Sequence, residues 1–329
     1  MAGKRVLVCG AGSIGRRHIT NLLSLGAVVS VWRARSELLN EVSQEFPVKV
    51  FDNLSNAIAE AEAVVVATAT DQHIAITTEA LNAGRALFIE KPISHDWRGV
   101  DRLCSLVEGK IIEVGCQFRA HPNLIALAQK LCKTEEGRPL TYRLAMGQRL
   151  DVWRPAQDYQ AGYSADSSRG GGALFDLIHQ IDIALWLFGP VVEVYAVLDN
   201  IGDLNIKGDD VTNLLLTHKS GVTGHIQLDM ASPVYRCEVE VMTSNALINW
   251  SNAQGVLQQR KADGISIIVD SVPDGFVRND LFLMHMVHFL RRLDNPLIPP
   301  LCAFEDGVAA LKVALGARKS NLLRKMVTI

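Results

Sequence analysis

The chain has 329 residues, of which 48% are hydrophobic and 21% are charged, and its formal net charge is −2 at pH 7. This length exceeds what a single hydrophobic core usually organises, so we expect two domains. The near-neutral charge argues against a nucleic-acid or anionic-membrane surface, and no apolar run reaches the roughly 18 residues that a membrane span needs.

Cysteine usage and the first residues indicate the compartment. The six cysteines are scattered without CxxC spacing, so we interpret them as reduced core residues. The opening Met-Ala-Gly-Lys-Arg runs directly into a predicted strand, with no room for a signal peptide. We therefore expect a cytoplasmic protein whose partners are small molecules and other copies of the chain, with no nucleic acid and no membrane.

The first predicted strand stops in three closely spaced glycines, Gly10, Gly12 and Gly15. Gly10 would permit a tight turn, Gly12 would let a pyrophosphate approach the backbone, and Gly15 would let helix and strand pack closely. The phosphates would then lie at a helix N-terminus, near the backbone of Ser13 and Ile14. This GxGxxG spacing predicts a dinucleotide-binding turn, with a purely structural glycine turn as the alternative.

Buried strands alternate with helices through the first third of the chain. The predicted strands cover residues 5–9, 28–32, 48–51, 63–67, 86–89 and 111–115, and the predicted helices cover residues 16–25, 36–45, 54–61, 74–83 and 97–106. Such alternation is typical of a parallel sheet covered on both faces. We therefore predict an α/β fold with a doubly wound Rossmann sheet in a first domain of residues 1–119.

The end of the second strand carries Arg33, Arg35 and Ser36 where an NAD enzyme usually places an acid. Two guanidinium groups and a hydroxyl suit the 2′-phosphate of NADP, because a guanidinium matches phosphate oxygens in a fork. We predict that the cofactor is NADP, with NAD as the alternative. A pair of solvated loop charges would explain the same residues without a ligand.

A polar loop follows the fourth strand and contains Thr68, Ala69, Thr70 and His73. Ligands of parallel sheets bind at the carboxyl ends of the strands, so we assign these four residues to the cofactor site. The next strand ends at Lys91, at the same edge of the sheet. A lysine there is either an exposed charge or a residue of the site.

The order of these motifs resembles the Gfo/Idh/MocA (glucose-fructose oxidoreductase and inositol dehydrogenase) family. The resemblance is carried by the N-terminal GxGxxG, an Ala-Thr-x-x-x-x-His loop, Ile-Glu-Lys-Pro at residues 89–92 and a later Gly-Gly-Gly run before His-x-x-Asp, and it spans nearly the whole chain. It implies that Lys91 lies between the nicotinamide and the substrate hydroxyl or carbonyl, and that Pro92 follows a cis peptide bond. We also assign Glu90 and Gln117 to the cofactor site.

The pattern changes after residue 119 to segments with alternating polarity. The predicted strands cover residues 140–150, 191–198, 211–219, 222–230, 236–243, 246–250, 255–260 and 265–270, and the predicted helices cover residues 123–132, 173–188, 279–293 and 305–325. We predict a second α+β domain, residues 120–329, with a large open-faced antiparallel sheet. The resemblance implies that this sheet joins subunits into a homodimer or homotetramer, and that the late helices pack back near the domain junction.

Three ionisable residues lie in the apolar helix predicted over residues 173–188: Asp176, His179 and Asp182. Residues three apart are neighbours on a helix, so the two carboxylates would flank the imidazole. We interpret this set as catalytic together with Lys91, against the alternative of a hydrogen-bonded core histidine. The family pattern is Asp-x-x-x-His-x-x-Asp, so His179 and Asp182 match it, whereas Asp176 is one residue out of register.

Weaker candidates complete the predicted site. We assign four residues to the substrate: Arg119, Arg154, Tyr159 and Tyr163. We predict no metal site, because His285 and His288 share a helix face without an acid or cysteine at ligand spacing. The function that these residues indicate is NAD(P)-dependent interconversion of a hydroxyl and a carbonyl on a sugar, polyol or nucleotide-sugar, with a lysine/histidine proton relay. The alternative is a regulatory protein of the same fold that binds NAD(P) and is catalytically silent.

Overall fold

The computed structural model describes residues 3–133, 136–153 and 158–329. The chain divides into two compact units. The first unit comprises Met1–Gln117 and Val277–Val308, and the second comprises Phe118–Phe276 and Ala309–Ile329. Residues 277–308 therefore belong with the first unit, although the sequence-based division assigned them to the second domain.

Among the described residues, six parallel strands form the sheet of the first unit. They are β1 (Arg5–Cys9), β2 (Val28–Trp32), β3 (Lys49–Phe51), β4 (Ala63–Val66), β5 (Ala86–Ile89) and β6 (Ile112–Val114). Their order is β3-β2-β1-β4-β5-β6, and every neighbouring pair is parallel. The valine-rich strands β1 and β4 are buried on both faces, as parallel strands between helical layers must be. The prediction of a doubly wound Rossmann sheet is confirmed.

Helices occur in both units. They are α1 (Ser13–Ser24), α2 (Leu39–Glu45), α3 (Leu54–Glu60), α4 (His73–Asn82), α5 (Val100–Cys104), α6 (Pro122–Leu131), α7 (Leu150–Trp153), α8 (Ala173–Asp176), α9 (His179–Phe188), α10 (Arg278–Asp294) and α11 (Phe304–Leu323). Helix α5 is shorter than predicted because Gly99, with φ +78°, stands at its N-cap in the left-handed region. In the described part of the chain no single helix is long and apolar enough to cross a membrane, although the bent pair Ser167–Asp176 and His179–Phe188 meets that criterion jointly.

A buried carboxylate on β6 explains why α10 belongs to the first unit. Glu113 is 0% exposed and its carboxylate is 3.1 Å from His285 Nε2 and 2.9 Å from Arg292 Nη1, both on α10. It also accepts hydrogen bonds from the backbone N–H groups of Leu301 and Cys302. Burial alone would raise the pKa of Glu113, but the hydrogen bond and charge of His285 and the charge of Arg292 lower it. The contact with Glu113 accounts for the position of His285.

Nine strands of the second unit form one large sheet within the described residues. They are β7 (Pro139–Gly147), β8 (Val191–Asp199), β9 (Val211–His218), β10 (Thr223–Asp229), β11 (Arg236–Thr243), β12 (Ala246–Ser251), β13 (Val256–Lys261), β14 (Ser266–Ser271) and β15 (Val327–Thr328). The order is β14-β13-β12-β11-β7-β10-β9-β8-β15. The predicted large antiparallel sheet is confirmed, with one parallel pair, β7 and β10, in its middle. Strand β15 was not predicted.

One face of this sheet is buried and the other is open. Along β7, Tyr142 and Leu144 are buried while Arg143 between them is exposed, and β11 alternates in the same way. Helix α9 packs against β7 and β10. The open face carries polar and charged side chains, as expected when helices cover only one side of an antiparallel sheet.

Candidate active site

Three glycines form the turn after β1. Two of them, Gly10 and Gly15, stand where a Cβ would collide with the backbone, and the third, Gly12, faces open space. Gly10 has φ +102°, and a Cβ there would lie 2.5 Å from the carbonyl oxygen of Ala67. A Cβ on Gly15 would collide with the carbonyl oxygen of Gly10. A Cβ on Gly12 would meet no atom within 4 Å. The backbone at Gly12 is therefore open to a ligand, and the other two glycines hold the turn that exposes it.

Helix α1 begins immediately after this open position, with Gly12 as its N-cap residue and no acidic side chain in its first turn. The first N–H groups of a helix lack partners within the helix, and the helix dipole favours negative charge there. Ser13 is exposed, whereas the side chain of Ile14 packs against the core of the first unit. Ile14 can therefore offer its backbone N–H to a phosphate while its side chain anchors the helix. The residues present fit a dinucleotide pyrophosphate.

The two arginines at the end of β2 differ in their surroundings. Arg33 is half-buried and its Nη1 donates to the carbonyl oxygen of Leu38 at 3.1 Å, whereas Arg35 is exposed. Burial lowers the pKa of Arg33, and the nearby charge of Arg35 lowers it further, while Glu37 and Glu41 act in the opposite direction. An anion between the two guanidinium groups would relieve their repulsion.

The predicted cofactor loop after β4 contains a short 3-10 turn, Thr70–Gln72, that leads directly into α4. Thr70 is buried, and Thr68 and Ala69 are half-buried. The ring of His73 lies in the interior, with Nδ1 at 2.9 Å from the carbonyl oxygen of Pro92 and Nε2 at 3.2 Å from that of Thr68. The ring of His73, which we assigned to the cofactor site, therefore points into the interior of the first unit, where it joins this loop to the turn that follows β5.

That turn carries the Glu90-Lys91-Pro92 motif. The Lys91–Pro92 peptide bond is cis, as the family resemblance implied, and Lys91 is half-buried. The carboxylate of Glu90 is buried and lies 2.7 Å from Nε2 of His18. It also packs against Gly115, where a Cβ would come within 2.9 Å of the carboxyl carbon. The side chain of Glu90, which we assigned to the cofactor site, therefore points into the interior of the first unit.

In the second unit, the prediction of one continuous helix over residues 173–188 is wrong. Helix α8 ends at Asp176, Leu177 adopts φ −102° and ψ 23°, and α9 begins at His179. The amides of Ile178 and Gln180 each bond to a carbonyl three residues earlier, which tightens the chain into a corner. The spacing of residues on a straight helix therefore does not relate Asp176 to His179.

Both predicted carboxylates have identified donors. Asp182 receives three hydrogen-bond contacts from Arg119, at 2.7, 3.1 and 3.2 Å, and both side chains are buried. The hydroxyl of Tyr163 donates to Asp176 at 3.0 Å. The ring of His179 is buried and stands edge-on to Phe118, with centroids 5.2 Å apart. Two predicted substrate residues thus lie beside the two acids of the motif.

The remaining predicted residues have varied positions. Gln117 is buried at the start of a 3-10 turn, Gln117–Ala120. The hydroxyl of Tyr159 donates to the carbonyl oxygen of Leu204 at 3.1 Å. Arg154 lies outside the described residues.

Two candidate functional residues, His18 and Asp209, were not predicted from the sequence. His18 is a polar residue on the buried face of α1, and a polar residue on an otherwise apolar helix face is the sequence pattern that could have identified it. Asp209 accepts hydrogen bonds from the amide of Leu174 at 2.8 Å and from the hydroxyl of Thr212 at 2.7 Å, so it holds the start of α8. A Cβ on Gly172 would collide with its carboxylate. No local motif marks Asp209.

The comparisons with known sequences agree with the geometry. Residues 4–116 match the family described as "Oxidoreductase family, NAD-binding Rossmann fold", and residues 125–249 match the "GFO/IDH/MocA C-terminal domain". The UDP-N-acetylglucosamine 3-dehydrogenase of Acidithiobacillus ferrooxidans is 26% identical over 326 residues, which cover 96% of each chain. The myo-inositol 2-dehydrogenase of Thermotoga maritima is 26% identical over 332 residues, with the same coverage.

Solved structures show the same fold. Levoglucosan dehydrogenase in complex with NADH and levoglucosan superposes with a TM-score of 0.85 at 20% identity, covering 99% of each chain. The UDP-N-acetylglucosamine 3-dehydrogenase of Acidithiobacillus ferrooxidans superposes with a TM-score of 0.81 at 21% identity, covering 97% of this chain and 98% of that one. Since the two family matches together span more than half of its residues, the chain belongs to the Gfo/Idh/MocA oxidoreductase family.

Proposed function

We propose that this protein is an NAD(P)-dependent oxidoreductase that interconverts a hydroxyl and a carbonyl on a sugar, polyol or nucleotide-sugar. The observation that carries the proposal is the open backbone at Gly12, at the start of α1 and at the carboxyl edge of a Rossmann sheet. Relatives of the chain include dehydrogenases named for UDP-N-acetylglucosamine and myo-inositol. The nicotinamide of the bound nucleotide supplies the hydride chemistry.

The protein's own contribution is position, charge stabilisation and a proton relay. Oxidation of an alcohol requires loss of the hydroxyl proton as the hydride leaves, so a base must reach the reacting oxygen. We assign the proton exchange to His179 and the stabilisation of the developing alkoxide to the ammonium of Lys91. Arg119 neutralises Asp182 in the interior, which leaves a buried ion pair within one turn of His179. We assign Asp176, with its bound Tyr163 hydroxyl, to the substrate side of the same group.

The substrate class rests on side chains rich in hydroxyl and guanidinium groups. Tyr159 and Tyr163 lie on consecutive 3-10 turns, Tyr159–Ala161 and Tyr163–Ala165, that lead to the glycine run before α8. Phenol and guanidinium groups bind polyols through hydrogen bonds, and we assign Arg119 and Arg154 to the same task. A nucleotide-linked sugar is our leading candidate within this class.

For the cofactor we propose a preference for NADP(H) over NAD(H). Arg33 and Arg35 stand at the end of β2, and their mutual repulsion favours a bound anion. A charge-assisted hydrogen bond to phosphate contributes about 1.5–3 kcal/mol, which corresponds to roughly tenfold to hundredfold discrimination. We include Ser36 in this site from its place in the sequence.

The test is a substrate screen with both nucleotides. The purified protein is incubated with NAD or NADP and a panel of inositols, free sugars and UDP-sugars, and nucleotide reduction is followed by absorbance. We expect turnover with at least one carbohydrate. Nucleotide binding without turnover across the panel would instead favour the catalytically silent regulator. Electron density for a non-carbohydrate acid alone, in crystals soaked with the same panel, would refute the substrate class.

We propose that the open face of the nine-stranded sheet joins subunits into a homodimer or homotetramer. A depression of about 320 Å³ on this face has polar and apolar lining residues, and the charged ones include Arg143, Arg236 and Glu238. Within the described residues, Nε and Nη2 of Arg236 are shielded from solvent and have no hydrogen-bond partner. A second copy could supply the acceptor. Light scattering of the wild type should give a dimer or tetramer, Arg236→Glu should shift it towards monomer, and a monomeric wild type would refute the proposal.

A further inference from the structure

The segment that carries Lys91 is held on both sides by buried histidines. Glu90 precedes Lys91 and contacts His18, and Pro92 follows Lys91 and contacts His73. Both histidines are 1% exposed. We call residues 90–92 the Lys91 segment.

The first contact joins a side chain to a side chain. Nε2 of His18 lies 2.7 Å from Oε1 of Glu90, and within the described residues Nδ1 of His18 has no hydrogen-bond partner. Burial alone would raise the pKa of Glu90, but His18 and the charges of Lys91 and His285 lower it, so Glu90 is ionised. A carboxylate only accepts, so Nε2 of His18 must carry a proton and donate it.

The second contact joins a side chain to the backbone. Nδ1 of His73 lies 2.9 Å from the carbonyl oxygen of Pro92, and Nε2 lies 3.2 Å from that of Thr68. Burial lowers the pKa of His73, so the ring is neutral at neutral pH and has one N–H to share between two acceptors. The shorter distance assigns that proton to Nδ1 and the hydrogen bond to Pro92.

The two histidines approach the segment from opposite sides of the sheet. The crossover from β1 through α1 to β2 and the crossover from β4 through α4 to β5 run in opposite directions along the strand order. Parallel crossovers are right-handed, so α1 and α4 cover opposite faces. The last ladder contacts before Lys91 are Glu90 N to Val66 O at 2.9 Å and Gly115 N to Ile89 O at 2.7 Å. Beyond them, Glu90 contacts His18 and Pro92 contacts His73.

We propose that His18 and His73 are positioning residues for Lys91, each fixing one neighbour of the lysine by a hydrogen bond from a different ring nitrogen. The pair sets the direction of the Lys91 side chain relative to α1, whose N-terminus receives the nucleotide phosphates. Neither histidine touches substrate. The catalytic consequence rests on the proposed function, and the structural consequence does not.

Asparagine and glutamine variants separate the two contacts, because the asparagine amide stands near the Nδ1 position of histidine and the glutamine amide near the Nε2 position. At residue 18 the donor is Nε2, so His18→Gln should retain near-normal turnover and His18→Asn should lower kcat by about tenfold. At residue 73 the donor is Nδ1, so the order reverses, with His73→Asn retaining turnover and His73→Gln losing about tenfold. Nucleotide Kd and thermal stability are measured for all four variants, and Kd should stay within about threefold.

Hydrogen–deuterium exchange at the amides of Lys91 and Ile93 provides a readout that needs no substrate. Exchange should rise in His18→Asn and His73→Gln and stay near the wild type in the other two variants. If the wild type turns over no substrate, the proposed function fails and the exchange pattern still decides the positioning role. Three results would overturn the proposal. They are the same preference for asparagine or glutamine at both residues, unchanged exchange in all four variants, and losses of turnover that follow thermal stability alone.

Discussion

The sharpest test of the nucleotide site is Gly12→Ala. Gly12 has φ −74° and ψ −169°, an extended conformation that alanine adopts readily, and the new Cβ would meet no protein atom within 4 Å. We therefore expect the free energy of unfolding to change by less than about 1 kcal/mol. A bound pyrophosphate, however, would have to share that space with the methyl group.

The expected loss of nucleotide affinity is tenfold to hundredfold, which corresponds to about 1.4–2.7 kcal/mol. The neighbouring glycines provide matched controls. Gly15→Ala would press its Cβ on the Gly10 carbonyl, and overpacking of this kind costs about 1–3 kcal/mol of stability. Gly10→Ala would combine a 2.5 Å contact to Ala67 with a left-handed φ, which adds about 1–2 kcal/mol of strain.

The assay measures two quantities for each alanine variant. Nucleotide Kd comes from titration of NADH or NADPH fluorescence, and stability comes from chemical unfolding of the nucleotide-free protein. Gly12→Ala should move Kd and leave stability almost unchanged, whereas Gly10→Ala and Gly15→Ala should lower stability. Wild-type nucleotide affinity in Gly12→Ala would refute the placement of the pyrophosphate at this turn.

Three further predictions concern the chemistry, the cofactor and the response to acid. Lys91→Met and His179→Asn should each lower turnover by about a hundredfold while nucleotide affinity stays within a few-fold, and near-normal turnover in Lys91→Met would contradict the assigned roles. Arg33→Ala should weaken NADPH binding more than NADH binding in parallel titrations, and NADH binding that is tighter than NADPH binding and unaffected by the change would show that the arginines face solvent. Burial lowers the pKa of His121 to about 4, and the unfolded state takes up the proton near pH 6.5. Stability should therefore fall as the pH drops from about 6.5 to 4, by at most about 3 kcal/mol from this group, and His121→Phe should remove that part of the pH dependence in unfolding curves.

The architecture was accessible from sequence because its signals are local. A buried parallel strand is apolar along its whole length. Residues 63–67, Ala-Val-Val-Val-Ala, have this pattern and therefore predict such a strand. The glycine turn was also predicted, because the GxGxxG spacing is a local pattern. In the structure, Gly10 and Gly15 stand where a Cβ would collide with backbone atoms. Strand β15 was missed because only two residues, Val327 and Thr328, pair with β8, and a segment that short has no period to detect.

The corner between α8 and α9 shows where local patterns fail. Residues 173–188 are apolar almost throughout and contain no glycine or proline, so propensity alone favours one helix. The chain turns at Leu177 instead, and the start of α8 is held by Asp209, more than thirty residues later in the sequence. The same apolar residues can be buried in a bent pair of helices or in one straight helix. The choice between them depends on distant partners, which helical periodicity does not record.

The direction of the Glu90 side chain also could not be predicted from the local motif. A carboxylate beside a predicted catalytic lysine, at the ligand-binding edge of a sheet, was assigned to the cofactor, yet its side chain points inward to His18. Alternation along β5 explains the direction, because Glu90 shares a face with Phe88, and Phe88 packs against the rings of His18 and His285. Lys91 follows Glu90 after β5 has ended at Ile89. The Glu-Lys-Pro motif therefore contains one residue, Glu90, whose side chain builds the interior, and another, Lys91, that we assign to the chemistry.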